Sequence, residues 1–181
     1  MSSLVINGDT SGSITLAAPA VAGSNTLTLP TLTGTVLTNK TPGCVLQVVQ
    51  GTLGSMVSTT TTNTFVTTGL AASITPSSST SKILATVSGT GYTQNSAAQG
   101  VYTLYRGATN LSTYGFTTVY ANNANIQGGI TFSYLDSPAT TSSTTYTLYF
   151  SLANAAGTTS FNSNSAWGQG NATIILQEIA A

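Results

Sequence analysis

Apolar side chains recur at every second position through most of this chain, as in Ser13-Ile14-Thr15-Leu16, Asn25-Thr26-Leu27-Thr28-Leu29 and the run Tyr146, Leu148, Phe150. A period of two places those residues on one face of a pleated strand, and it excludes the 3.6-residue period of an amphipathic helix. The intervening residues are mostly Thr, Ser and other β-compatible types. Helix formers with charged faces are absent. Strands are expected at Ser13–Leu16, Thr26–Leu29, Thr35–Thr38, Val45–Gly51, Thr64–Ile74, Lys82–Thr90, Val101–Arg106, Tyr114–Tyr120, Ile126–Leu135, Thr144–Leu152, Thr158–Phe161 and Ala172–Ile179. Turn clusters such as Thr75-Pro76-Ser77-Ser78-Ser79, Arg106-Gly107-Ala108-Thr109-Asn110 and Asp136-Ser137-Pro138 separate them. Gly89-Thr90-Gly91 and Gly168-Gln169-Gly170 also read as turns, since neither has the following Lys or the strand-to-helix context of a phosphate loop.

The chain divides near Lys40-Thr41-Pro42-Gly43, giving an N-terminal docking or shaft segment over 1–43 and a C-terminal domain over 44–181. In the first part a strand pattern repeats at an offset of 13 residues. A piece of about 40 residues with so few large apolar groups cannot bury enough surface alone. Three copies winding around one axis would bury the rows Ile14, Leu16, Leu27 and Leu29 and pair the open strand edges; the alternative is an arm that orders on docking to another protein. The second part is long enough for its own core, with the rows Val45, Val48 and Val49, then Ile83, Leu84 and Val87, then Tyr146, Leu148 and Phe150, then Ile174, Ile175, Leu176 and Ile179 supplying two facing sheets. The expected fold is all-β, a short intertwined N-terminal β segment followed by a jelly-roll-like sandwich of about eight strands, homotrimeric.

Charge narrows the function. Among 181 residues there are three basic and three acidic side chains, no His and one Cys. Nucleic-acid binding needs clustered Lys and Arg, whereas Lys40, Lys82 and Arg106 are scattered, so neither nucleic acid nor an anionic membrane is an expected partner. No apolar run approaches the roughly 18 residues of a spanning helix, and Met1-Ser2-Ser3-Leu4-Val5 does not read as a secretory leader. Imidazole-assisted nucleophiles, internal disulfides and metal sites built from His or Cys clusters cannot be assembled, so no cofactor, metal or catalytic residue is expected. Glycoside hydrolysis generally takes two carboxylates about 5–10 Å apart, and only Asp9, Asp136 and Glu178 are on offer. Asp136 reads as a turn cap, with Lys82 or Arg106 as alternative ion-pair partners for Asp136 or Glu178. Neutral sugars can be gripped without charge by an aromatic face flanked by amides. Candidate receptor contacts of that kind are Tyr120, Asn122, Asn123, Trp167 and Gln169, although for Trp167 a plug at the end of the barrel or a trimer contact is the favoured reading, since large aromatics mostly contribute burial.

The run Gly12-Ser13-Ile14-Thr15-Leu16-Ala17-Ala18-Pro19-Ala20-Val21-Ala22-Gly23-Ser24-Asn25-Thr26-Leu27-Thr28-Leu29-Pro30, followed by Gly34-Thr35-Val36-Leu37, resembles the N-terminal segment of tail-fibre-like and other virion proteins of tailed bacteriophages of the cyanophage and marine-phage type. The stretches Ile74-Thr75-Pro76-Ser77-Ser78-Ser79-Thr80-Ser81-Lys82-Ile83-Leu84, Tyr134-Leu135-Asp136-Ser137-Pro138-Ala139-Thr140-Thr141 and Glu178-Ile179-Ala180-Ala181 are similar to their C-terminal domain. The resemblance implies a trimeric, β-rich element of the virion without cofactors. It would dock through its N-terminal segment to a tail, baseplate or capsid protein and serve host attachment, with a host surface glycan as one prospective ligand. The chain is short and lacks the extended repetitive middle of long tail fibres, so a capsid head-fibre or decoration (cement) protein remains the alternative.

Overall fold

The computed structural model describes residues 3–7, 9–17, 41–94, 97–121, 125–153, 157–164 and 168–181. The chain forms two compact units, Met1–Val36 and Leu37–Ala181. The expected strands Thr26–Leu29 and Thr35–Thr38 lie outside the described residues, as do Leu27 and Leu29.

In the first unit β1 (Ser3–Asn7) and β2 (Ser13–Ala17) form an antiparallel hairpin. The second unit carries β3 (Val45–Leu53), β4 (Val57–Thr59), β5 (Val66–Ile74), β6 (Lys82–Gln94), β7 (Ala98–Arg106), β8 (Thr109–Asn110), β9 (Thr117–Ala121), β10 (Ile126–Asp136), β11 (Thr144–Leu152), β12 (Thr158–Phe161), β13 (Ser163–Asn164), β14 (Gly168–Gln169) and β15 (Ala172–Ile179). Four antiparallel ribbons set its topology: β3 with β15, β5 with β11, β6 with β10, and β7 with β9. Numbered one to eight in chain order, these strands pair first with last, second with seventh, third with sixth and fourth with fifth. One long antiparallel ribbon has therefore been rolled up, and the pairs β15–β6 and β11–β7 hold the roll together. One sheet carries β3-β15-β6-β10, with β12 and then β4 also joined to β6, and the other carries β5-β11-β7-β9, with β8 also joined to β7. This is a jelly roll, an all-β sandwich of antiparallel sheets, and no helix occurs among the described residues.

Alternation explains the core directly. Along β15, Ala172, Ile174, Leu176 and Glu178 point inward while the residues between them are only partly covered. Tyr146, Leu148 and Phe150 of β11 face them from the other sheet, together with Leu70, Ile74 and Leu104, while Ile83, Val87 and Phe161 add to the core from the sheet that holds β15. Each large apolar side chain buried in this way contributes on the order of 2 kcal/mol. The same alternation corrects part of the expected core. Val45 and Val48 are exposed, and Leu84, Ile175 and Ile179 are only partly covered. Neighbours in a strand point to opposite faces, so the runs Val48-Val49, Ile83-Leu84 and Ile174-Ile175 each give only one residue to the interior.

A second correction concerns Gly89-Thr90-Gly91, which is no turn but the middle of β6. A Cβ on Gly89 would lie 2.7 Å from the Phe161 ring, and one on Gly91 would lie 2.7 Å from the Tyr102 hydroxyl and 2.9 Å from Ile130. The glycines are vacancies in the pleat that admit large side chains from facing elements. Tyr102 fills the resulting space, its ring 6.2 Å from Phe150 and 6.0 Å from Phe161. Its hydroxyl lies 3.0 Å from Thr159 Oγ1 and donates to the Ser160 carbonyl at 3.0 Å. Burial pushes this phenol up to about 12, with the Thr159 hydrogen bond acting weakly in the other direction.

Candidate functional site

The hairpin register stacks Leu4 opposite Leu16 and Ile6 opposite Ile14. Positions two apart share a face, so these four side chains form one apolar patch, while Val5 lies opposite Thr15 on the other side. Leu4, Ile6, Ile14 and Leu16 are 59%, 52%, 67% and 50% exposed. A lone two-stranded hairpin is marginally stable at best in water, and a contiguous apolar patch on it calls for a cover. Ile14 and Leu16 were legible as an alternating strand. Leu4 and Ile6 were missed, although Leu4-Val5-Ile6 followed by Asn7-Gly8-Asp9 carries a strand-then-turn signal.

On the second unit, the outer face of the β3-β15-β6-β10 sheet carries another apolar group. The register aligns Leu135, Leu84, Gln177 and Val48 in one row across four strands. Leu135, Val48 and Val45 are exposed. Lys82, at the start of β6 beside Ile179, is the nearest formal charge in that register.

The two buried acids point inward from opposite sides of Ile83, which pairs with both Asp136 and Glu178. Two strand spacings separate them, roughly 10 Å, and each is saturated by donors. Arg106 Nη1 donates to both Asp136 oxygens at 2.8 Å, and the Tyr146 hydroxyl donates to Oδ2 at 2.6 Å. Asp136 is thus an ion-pair partner of Arg106 and not the turn cap that its Asp-Ser-Pro setting indicates. Burial, with the hydrogen bond to Asp136 and its negative charge, raises the Tyr146 phenol far above its ordinary value. Glu178 has no exposed surface. Gln47 Nε2 donates to its Oε2 at 2.6 Å, and the Ser77 N–H and hydroxyl both donate to Oε1 at 2.7 Å. Burial, the largest influence, would raise this carboxyl, but hydrogen bonds from Gln47, Ser77 and Ser81 together outweigh it and bring it to about 2. A carboxylate held ionised in this way is not poised to donate a proton.

The candidate receptor residues are only partly placed. Tyr120 is half-exposed on β9, opposite Gln99 of β7, and Gln169 lies on β14. Asn122, Asn123 and Trp167 lie outside the described residues. The exposed aromatic that periodicity misassigned is Tyr114, expected to begin a strand but sitting in the loop before β9 and 92% exposed.

No protein-family model matches the sequence, and no curated protein matches it. Solved structures offer distant likenesses. A subunit of the Bacillus endospore appendages, described as a novel family of disulfide-linked pili, is 16% identical over 81% of this chain and 98% of that one, with a TM-score of 0.32. A mutant VP2 protein of infectious bursal disease virus, from derived T=1 particles, is 14% identical over 96% of this chain and 44% of that one, with a TM-score of 0.40. The infectious bursal disease virus Gx strain gives 15% identity over 97% of this chain and 45% of the other, with a TM-score of 0.34. This chain spans less than half the length of the two viral proteins. All three TM-scores lie below 0.5, so none assigns the chain to a family.

Proposed function

We propose that this protein is a structural, non-catalytic component of a bacteriophage virion, a trimeric fibre or fibre-tip subunit that serves host attachment. The observation that carries the reading is the naked apolar face of the β1–β2 hairpin, Leu4, Ile6, Ile14 and Leu16. Among the described residues nothing covers those side chains; copies of the same hairpin around an axis, or a neighbouring virion protein that adds its own strands, would supply the cover. The jelly roll supports the reading as a rigid outward module, because its acids are engaged internally and its outer sheet face carries few charges. The resemblance of Gly12–Pro30 to phage virion proteins points the same way.

Substituting Leu4 and Ile14 together by Asp tests the docking role. Each places a carboxylate where an apolar contact forms, at a cost of several kcal/mol per unpaired site. The double variant is expected to fold normally in its jelly roll yet fail to incorporate into phage particles grown without the native protein, as read by particle composition. Incorporation equal to wild type would show that attachment runs through the C-terminal unit.

A further inference from the structure

We propose that a cleft at one margin of the β5-β11-β7-β9 sheet is a binding site for one neutral pyranose ring, with Tyr114 and Phe65 as stacking surfaces and Asn63 and Thr113 as hydrogen-bonding groups. The cleft measures about 250 Å³, and Val101 contributes to its floor. That is just below the roughly 300–1,000 Å³ of pockets for drug-sized ligands, a size suited to a single sugar. No charged side chain lines it, so the ligand it matches is neutral.

Both walls are anchored. On one side Leu152 N–H donates to the Thr61 carbonyl at 2.9 Å and Asn63 N–H donates to the Leu152 carbonyl at 2.8 Å, which fastens residues 61–63 to the end of β11. Asn63 has a φ of 55°, in the left-handed region that Asn tolerates better than most residues. The Phe65 ring is set edge-on against Tyr105, at 6.4 Å and 65°, and Tyr105 stacks on Tyr149 at 4.0 Å. On the other side the loop between β8 and β9 is tied to β7. Asn110 Oδ1 accepts from Thr103 Oγ1 at 2.7 Å and from Ser112 N–H at 3.0 Å, and Phe116 N–H donates to the Tyr102 carbonyl at 2.8 Å. Gly115, at a φ of +81°, lies so close to Val101 that a Cβ would collide with it.

The Tyr114 ring is left almost fully in water and projects from a loop whose backbone is tied to β7 through Phe116. A preformed aromatic site loses little entropy on binding, and ring faces with hydroxyl and amide neighbours suit the alternating C–H and O–H surface of a sugar. The site deepens the attachment reading and rests on it only for its biological use. Sugar binding and particle incorporation are separate readouts, so either can fail alone.

The test uses the intact protein and the methyl glycosides of a neutral hexose, a 6-deoxyhexose and an N-acetylhexosamine, with a methyl uronate as the charged control. Saturation-transfer NMR is expected to show binding of at least one neutral glycoside, stronger than that of the uronate. Tyr114→Ala should weaken it roughly tenfold with the melting temperature unchanged, while Tyr114→Phe should keep it within about threefold. Failure of all three neutral glycosides to bind, preference for the uronate, or binding that survives both Tyr114→Ala and Phe65→Ala would overturn the assignment.

Discussion

Replacing Gly51 by valine is expected to lower the melting temperature of the jelly roll by roughly 10 °C, the equivalent of about 3 kcal/mol. Intrinsic preference points the other way, since Gly51 lies within β3, its φ is not in the left-handed region, and valine is a favoured strand residue. What opposes the substitution is the margin of the sandwich. A Cβ at position 51 would strike the Ala71 carbonyl oxygen of β5 and come within 2.8 Å of that carbonyl carbon and 3.0 Å of Ile174 Cγ2. Backbone of the facing sheet cannot rotate away as a side-chain tip can, so the two sheets must part. Even Gly51→Ala should destabilise the domain, and valine more so. Denaturation midpoints for both variants within experimental error of wild type would mean that β3 and β5 are not in contact.

Acid should unfold the domain partly through Glu178. Its carboxyl sits at about 2 in the folded protein against an ordinary 4.5, so the folded state binds the proton less readily than the unfolded chain. The stabilisation is complete above about pH 4.5 and is lost as pH falls towards 2; the interval corresponds to about 3 kcal/mol. Glu178→Gln isolates it, because an amide of the same shape cannot accept all of the hydrogen bonds from Gln47, Ser77 and Ser81 and does not titrate. At neutral pH the variant should be less stable by about that amount, and the gap should close between pH 4.5 and 2. A gap that stays constant across that range would show that the carboxylate is not held by its donors in the way described.

Much of the strand pattern was legible because burial on one face writes itself into sequence at period two. β11, β12 and β15 begin and end as expected, and β5, β6, β10 and β3 differ by a few residues at their ends. Partner choice was not legible. Arg106 reaches Asp136 and leaves Glu178 to neutral donors because β7, β10 and β11 converge at that end of the roll, and no local signal encodes such a meeting. The strand glycines Gly89 and Gly91 misled for a related reason. A missing side chain looks like a turn until the Phe161 and Tyr102 rings that occupy its place are known. Tyr120 was recognised as an exposed aromatic, whereas Phe65 and Tyr114 meet at the cleft only because residues 61–63 fasten to the end of β11 and the loop between β8 and β9 fastens to β7.

The central claim is that the exposed hairpin face is an assembly surface, and the mass of the intact protein in solution tests it most directly. Static light scattering at micromolar concentration should give three times the 18.3 kDa of one chain, and the Leu4→Asp, Ile14→Asp double variant should give less. A wild-type mass of 18.3 kDa under those conditions would contradict the trimer.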